Sequence, residues 1–145
     1  MILVDANLLI YAVNGDAPLH EPARRWWETE LSSTTRVGLA WPVLLAFLRI
    51  TTRRGILEQP LDADAALEYV SSWLAQPFVE TIAPGPGHWP IFRTLVHATG
   101  TAGNLTTDAH LAALAIEHDC ELFSSDYDFR RFPGLRHVNP LSAED

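Results

Sequence analysis

A chain of 145 residues, 48% of them hydrophobic, is long and apolar enough to bury a core. That excludes an intrinsically disordered chain and predicts a single domain over residues 1–145. A net charge of −8 argues against a basic coat for sequence-independent DNA binding, although a metal-binding carboxylate pocket would itself add negative charge. The lone cysteine, Cys120, excludes an internal disulfide and a cysteine metal cage. No apolar run approaches the roughly 20 residues of a membrane span, and the apolar N-terminus carries Asp5 with no preceding basic residue, so neither a span nor a signal peptide is expected. A reducing, cytoplasmic location fits these features.

Ile2–Val4 is a short apolar strand ending at Asp5. Residues 7–13 read as a helix with Asn7 near its cap, broken by Asn14-Gly15-Asp16. Pro22 suits a first helical turn, and 23–31 continue as a helix. After the Ser32 to Thr35 loop, 37–41 form a short strand. Pro42 then opens a helix to about 53, with Leu45, Leu48 and Thr52 near one face. Gly55 and Pro60 mark a turn, and Asp62 caps a helix over 63–75. Residues 78–82 alternate as a strand does, and 83–87 form a loop too short for a domain linker. A helix over 88–98, a glycine-containing loop over 99–104 and a helix from Thr106 or Thr107 to about 119 follow. A strand over 121–124, a loop over 125–132 and a last strand over 136–138 complete the chain. Strands alternating with helices predict an α/β fold with a mainly parallel sheet covered on both faces. In such sheets the functional site lies at the carboxyl ends of the strands.

The acids fall where that rule points. Asp5 follows the first strand, Asp126 and Asp128 follow the strand over 121–124, and Asp108 lies in the first turn of a helix. Carboxylates brought to one edge repel one another unless a cation neutralises them. Hard oxygen ligands select Mg²⁺ or Mn²⁺, which positions and acidifies a water and takes up charge on a phosphate. Each acid also has a plainer reading: Asp108 as a partner of the helix dipole, Asp128 as a turn residue. Asp5, at the end of a buried strand, is the hardest to explain structurally.

These residues stand in four segments: Met1-Ile-Leu-Val-Asp5-Ala-Asn7, Pro42-Val-Leu-Leu-Ala-Phe-Leu-Arg49-Ile-Thr-Thr, Thr107-Asp108-Ala-His-Leu-Ala-Ala-Leu-Ala and Ser125-Asp126-Tyr-Asp128-Phe. Together they closely resemble the VapC toxins, the PIN-domain ribonucleases of VapBC toxin–antitoxin pairs, and in particular the mycobacterial-type subgroup. The resemblance spans essentially the whole chain. It implies a PIN fold with a central parallel sheet and a Mg²⁺ or Mn²⁺ pocket. It implies endonucleolytic hydrolysis of cellular RNA, often tRNA or rRNA, and inhibition by a cognate VapB antitoxin. It also implies homodimerisation, with operator DNA met only through the antitoxin. Asp5, Asp108 and Asp126 match the family's first, third and fourth acids and are the implied metal ligands. The second family acid, a glutamate three residues before Arg49, is replaced by Ala46, and Asp128 is the candidate to complete the pocket.

Arg49 is expected either to contact a phosphate or to pair with a pocket carboxylate, and Arg130 and Arg131 to form part of an RNA-binding rim beside the acidic loop. Arg24-Arg25 and Arg53-Arg54 are further rim candidates. Trp26, Trp27, Trp41, Trp73 and Trp89 read as core or interface residues rather than base-stacking platforms. Tyr11 and Phe47 read by default as buried, or else as part of a groove for an antitoxin helix. Asn104 reads as a cap, and His110, about 200° around the helix from Asp108, as structural. One rival reading makes Asp5 the covalent nucleophile of a phosphotransferase. Haloacid-dehalogenase-like enzymes call for an Asp-x-Asp pair, and they and receiver domains both call for a lysine, whereas residue 7 is Asn and all ten cationic residues are arginine. The other rival is a PIN-like binding module that lost activity with the glutamate.

Overall fold

The computed structural model describes residues 1–100 and 103–142, with only the backbone of Asn104, so the cap expected of Asn104 and part of the 99–104 loop lie outside the described residues. Five strands form one parallel sheet: β1 (Ile2–Val4), β2 (Val37–Ala40), β3 (Val79–Ile82), β4 (Glu121–Phe123) and β5 (His137–Val138). Their spatial order is β3-β2-β1-β4-β5. β1 is central and wholly buried, which suits a run of Ile-Leu-Val paired on both edges, Leu3 opposite Gly38 on one side and Leu122 on the other. Edge strand β3 exposes Glu80 and Thr81.

Six helices connect the strands: α1 (Ala6–Val13), α2 (His20–Ser32), α3 (Trp41–Thr52), α4 (Ala63–Leu74), α5 (His88–Thr99) and α6 (Thr106–Glu117). The chain steps from β1 outward to β2 and β3, then returns past β1 to β4 and β5. Right-handed crossovers therefore place α1–α4 on one face and α5 and α6 on the other. The packing agrees: α1 meets α2 and α3, α3 meets α4, and α5 meets α6. α6 is buried almost all round through Ala109, Leu111, Ala112, Ala113, Leu114 and Ala115, as a helix between a sheet and another helix must be. On the opposite face Trp73 packs edge-on to Phe47 (4.8 Å) and Trp27 (5.7 Å).

Several local expectations are corrected. α1 starts at Ala6 with Asp5, not Asn7, as its cap. The buried face of α3 is Val43, Leu44, Phe47 and Thr51, and Leu45 is exposed. Neither Thr106 nor Thr107 caps α6; the Thr106 hydroxyl donates to the Gly103 carbonyl instead. Phe78 precedes β3 and is exposed. The 125–132 loop contains a 3₁₀ turn, Tyr127–Arg131. Phe47 is fully buried, as its default reading has it, which removes it from the alternative of a partner groove, and Tyr11 is half-buried against the core. Among the described residues no helix is long and apolar enough to cross a membrane.

Candidate metal centre

Parallel pairing of β1 with β4 brings the end of the first strand beside the end of the fourth. The Asp5 N–H continues the ladder to the Phe123 carbonyl (2.9 Å), and Asp5 then turns the chain into α1. Its carboxylate accepts from the Ala6 N–H (2.8 Å) and from the Ser124 hydroxyl (2.7 Å). Ser124 is fully buried. Its oxygen also accepts from Asn7 Nδ2 (3.3 Å) and from the Asp126 N–H (3.0 Å), so one hydroxyl ties both acidic segments together. Asp126 in turn caps the 3₁₀ turn by accepting the Asp128 N–H at 2.9 Å. The Ser124 carbonyl accepts from His137 Nε2 (2.8 Å), which leaves His137 Nδ1 to accept from Arg130 Nε (3.4 Å).

Asp108 enters from the first turn of α6. Burial raises its carboxyl to about 6, and Asp5, Asp126 and Asp128 each push in the same direction. Burial likewise raises Asp5, against the lowering effect of the Ser124 and Ala6 hydrogen bonds, with Asp126 adding to the rise. Four carboxylates from three segments thus share one electrostatic neighbourhood.

That donor set fits a hard divalent cation. Asn7 Oδ1 adds to the fit: it is buried in the Ser124 network and has no hydrogen-bond partner. As they stand, no three His, Cys, Asp or Glu side chains among the described residues are grouped closely enough to hold a metal ion, so the carboxylates would have to draw together around one. An ion here would keep bound waters, as Mg²⁺ ordinarily does.

The structure therefore brings together Asp5, Asp108, Asp126 and Asp128. It leaves Asp128 exposed and Asp126 half-buried. Arg130 and Arg131 end the same 3₁₀ turn that begins beside Asp126, and the Arg130 guanidinium lies 4.3 Å over the Tyr127 ring. Arg49 is exposed on α3, with no ion pair among the described residues, and Ala46 packs partly buried against the core. Arg24 is held by Glu21 and Glu28 of its own helix. Sequence reasoning missed Ser124, Asn7 and His137 as members of the site. A hydroxyl residue ending a buried strand was the available signal.

A PIN domain family model matches residues 2–135. The chain is 46% identical over 141 residues to Ribonuclease VapC33 of Mycobacterium tuberculosis, covering 97% of this chain and 99% of the relative. It is 45% identical over 140 residues to Ribonuclease VapC37 of the same organism, covering 97% of each. Among solved structures, VapBC2 from Rickettsia felis bound to a promoter DNA fragment superposes with a TM-score of 0.70 at 18% identity, covering 96% of this chain and 98% of that one. Mycobacterium tuberculosis VapC20, a sarcin–ricin loop cleaving toxin, gives 0.66 at 20% identity over 94% of this chain and 99% of that one. The parallel sheet, the acids at its carboxyl edge and the near full-length identity agree, and the chain belongs to the PIN-domain family, among its VapC members.

Proposed function

We propose that this chain is a VapC-type toxin: an endoribonuclease dependent on Mg²⁺ or Mn²⁺ that hydrolyses RNA phosphodiester bonds and is restrained by a VapB-type antitoxin. The observation that carries this reading is that the Ser124 hydroxyl joins Asp5 at the end of β1 to Asp126 after β4, with Asp108 near enough to feel both charges, a repulsion that a divalent ion offsets. Asp5, Asp108 and Asp126 are the ligands we assign, and Asp128 stands in for the carboxylate that Ala46 lacks. When bound, the ion supplies Lewis acidity, lowering the pKa of an attacking water and taking up charge on the phosphate.

The protein's part is placement. Ser124 fixes the Asp5 carboxylate and the Asp126 backbone in one hydrogen-bonded unit, so the acids of β1 and β4 keep their relative position. Arg49, Arg130 and Arg131 are proposed to contact RNA phosphates. The near full-length VapC relatives and the fold shared with a DNA-bound VapBC complex support a VapB-type partner, with operator DNA reached through the antitoxin; a toxin homodimer is part of the same proposal. A guanidinium of the antitoxin has in this acidic pocket a site to occupy in place of the metal.

Asp5→Asn removes the charge of a principal ligand. It should lower RNA cleavage at least a hundredfold, on the order of 3 kcal/mol. Full-rate cleavage of total RNA in EDTA would overturn the metal mechanism. Unimpaired growth on expression alone, with no co-purification of the adjacent small reading frame's product, would overturn the toxin–antitoxin assignment.

A further inference from the structure

Beside the acids lies a second concavity that the metal chemistry does not use. Its volume is ≈ 380 Å³, within the range of sites that take small organic groups. Pro42, next to the end of β2, forms one wall; His88, Trp89 and Phe92, on the helix that follows β3, form another; Thr107 and His110 of α6 close it. In an all-parallel sheet the ends of β2 and β3 lie at the same edge as those of β1 and β4, where Asp5 and Asp126 stand. Thr107 immediately precedes Asp108, so the pocket and the acidic site share the first turn of α6.

The lining is aromatic with a polar tip. Trp89 is 67% exposed, which excludes the core half of its core-or-interface expectation, and its ring packs 5.8 Å from Phe92. His88 Nε2 and His110 Nδ1 share a hydrogen bond of 3.1 Å. His88 Nδ1 is buried, has no hydrogen-bond partner and faces Glu117 Oε1 at 3.9 Å. Assigning the proton to that nitrogen, towards the carboxylate, makes His88 Nε2 the acceptor and His110 Nδ1 the donor. His110 Nε2 is then an unprotonated acceptor on a residue that lines the pocket. In a chain of charge −8, contacts to bases would add to what a few arginines supply through the phosphates.

We propose that this pocket receives a nucleobase flanking the scissile phosphate, stacked on Trp89 and contacted along its edge by His110. The inference rests on the ribonuclease reading for the phosphate's position but not for the binding itself.

The test uses fluorescently labelled rA7, rC7 and rU7 in EDTA, where metal-dependent cleavage is absent, followed by 5′-end mapping of total RNA cleaved in Mg²⁺. The parent should bind one heptamer at least several-fold better than the others. Trp89→Ala should weaken that binding about tenfold and level the preference, Trp89→Phe should retain most of it, and His110→Ala should level the preference with a smaller loss. The mapped ends should lose their base bias in Trp89→Ala and keep it in Trp89→Phe. Equal binding of all three heptamers by the parent would overturn the proposal. So would unchanged RNA binding in Trp89→Ala, including the case in which that variant instead loses self-association or antitoxin binding, because the pocket is then a protein interface. Trp89-dependent, base-selective binding by a parent that cleaves no RNA would uphold the pocket and overturn the ribonuclease reading instead.

Discussion

At Asp108, burial and like charge act in the same direction, and this has a consequence for stability. Its carboxyl titrates at about 6 in the fold against an ordinary 3.8, so the protonated form favours folding. That favourable contribution is complete below about 3.8 and is lost as the pH rises through about 6. In EDTA, Asp108→Asn should therefore raise the melting temperature relative to the parent at pH 7.5 and much less at pH 4. Saturating Mg²⁺ should stabilise the parent and leave the variant unmoved. An equal gain at both pH values would show that the charge is not the cause. Ser124→Ala leaves all four acids in place but strands the Asn7 amide and the Asp126 N–H in a partly buried setting. It should cost about 1–3 kcal/mol in urea unfolding and slow cleavage on the order of tenfold to a hundredfold. An unchanged single-turnover rate would mean that Asp5 keeps its orientation without the hydroxyl. Asp5 and Asp126 were legible as strand-end acids. Ser124 was not, because its three partners come from Asp5, Asn7 and Asp126, two of them more than a hundred residues away.

Among the elements, α6 carries Asp108 in its first turn and a clamp at its last. Near its C-terminus the Glu117 carboxylate accepts the N–H groups of Gly85 and Gly87, each at 2.8 Å, which pins the loop between β3 and α5. A Cβ on Gly85 would lie 2.9 Å from Glu117 Oε2, so this approach requires glycine unless the carboxylate moves. Glu117→Ala should cost about 1–2 kcal/mol and speed amide exchange at Gly85 and Gly87 while leaving the strand amides of β1 protected. Unaltered exchange at both glycines would show that the loop is held by other contacts. Local signals read some elements well: Asp62 caps α4 through the Ala65 N–H, and Pro42 sits in the first turn of α3. The buried face of α3 was not legible, since Trp-Pro-Val-Leu-Leu-Ala-Phe-Leu-Arg-Ile is apolar nearly all round and offers several overlapping stripes.

Over the whole molecule, charge sets how RNA is held. Arg24, Arg36 and Arg136 are already paired with carboxylates of the same chain. If Arg49, Arg130 and Arg131 each meet one phosphate of single-stranded RNA, binding should fall with salt at a logarithmic slope of about −2. Measuring the KM for cleavage between 50 and 200 mM NaCl at fixed Mg²⁺ checks this. A slope steeper than about −4 would mean that further arginines are engaged and would overturn the assignment of these three as the phosphate contacts.

The sequence by itself determined the alternation of strands and helices, the parallel sheet that follows from it, and which acids end up beside strand ends. These depend on local propensity and on order along the chain. The tertiary structure alone decided the order β3-β2-β1-β4-β5, which sets Ser124 against Asp5 across 119 residues and makes one site from three segments. It alone sorted the tryptophans, burying Trp27 and Trp73 while leaving Trp41 and Trp89 exposed. The physical reason is common to both: strand neighbours and side-chain burial are settled by how distant segments pack together, and no pattern within a dozen residues carries that information.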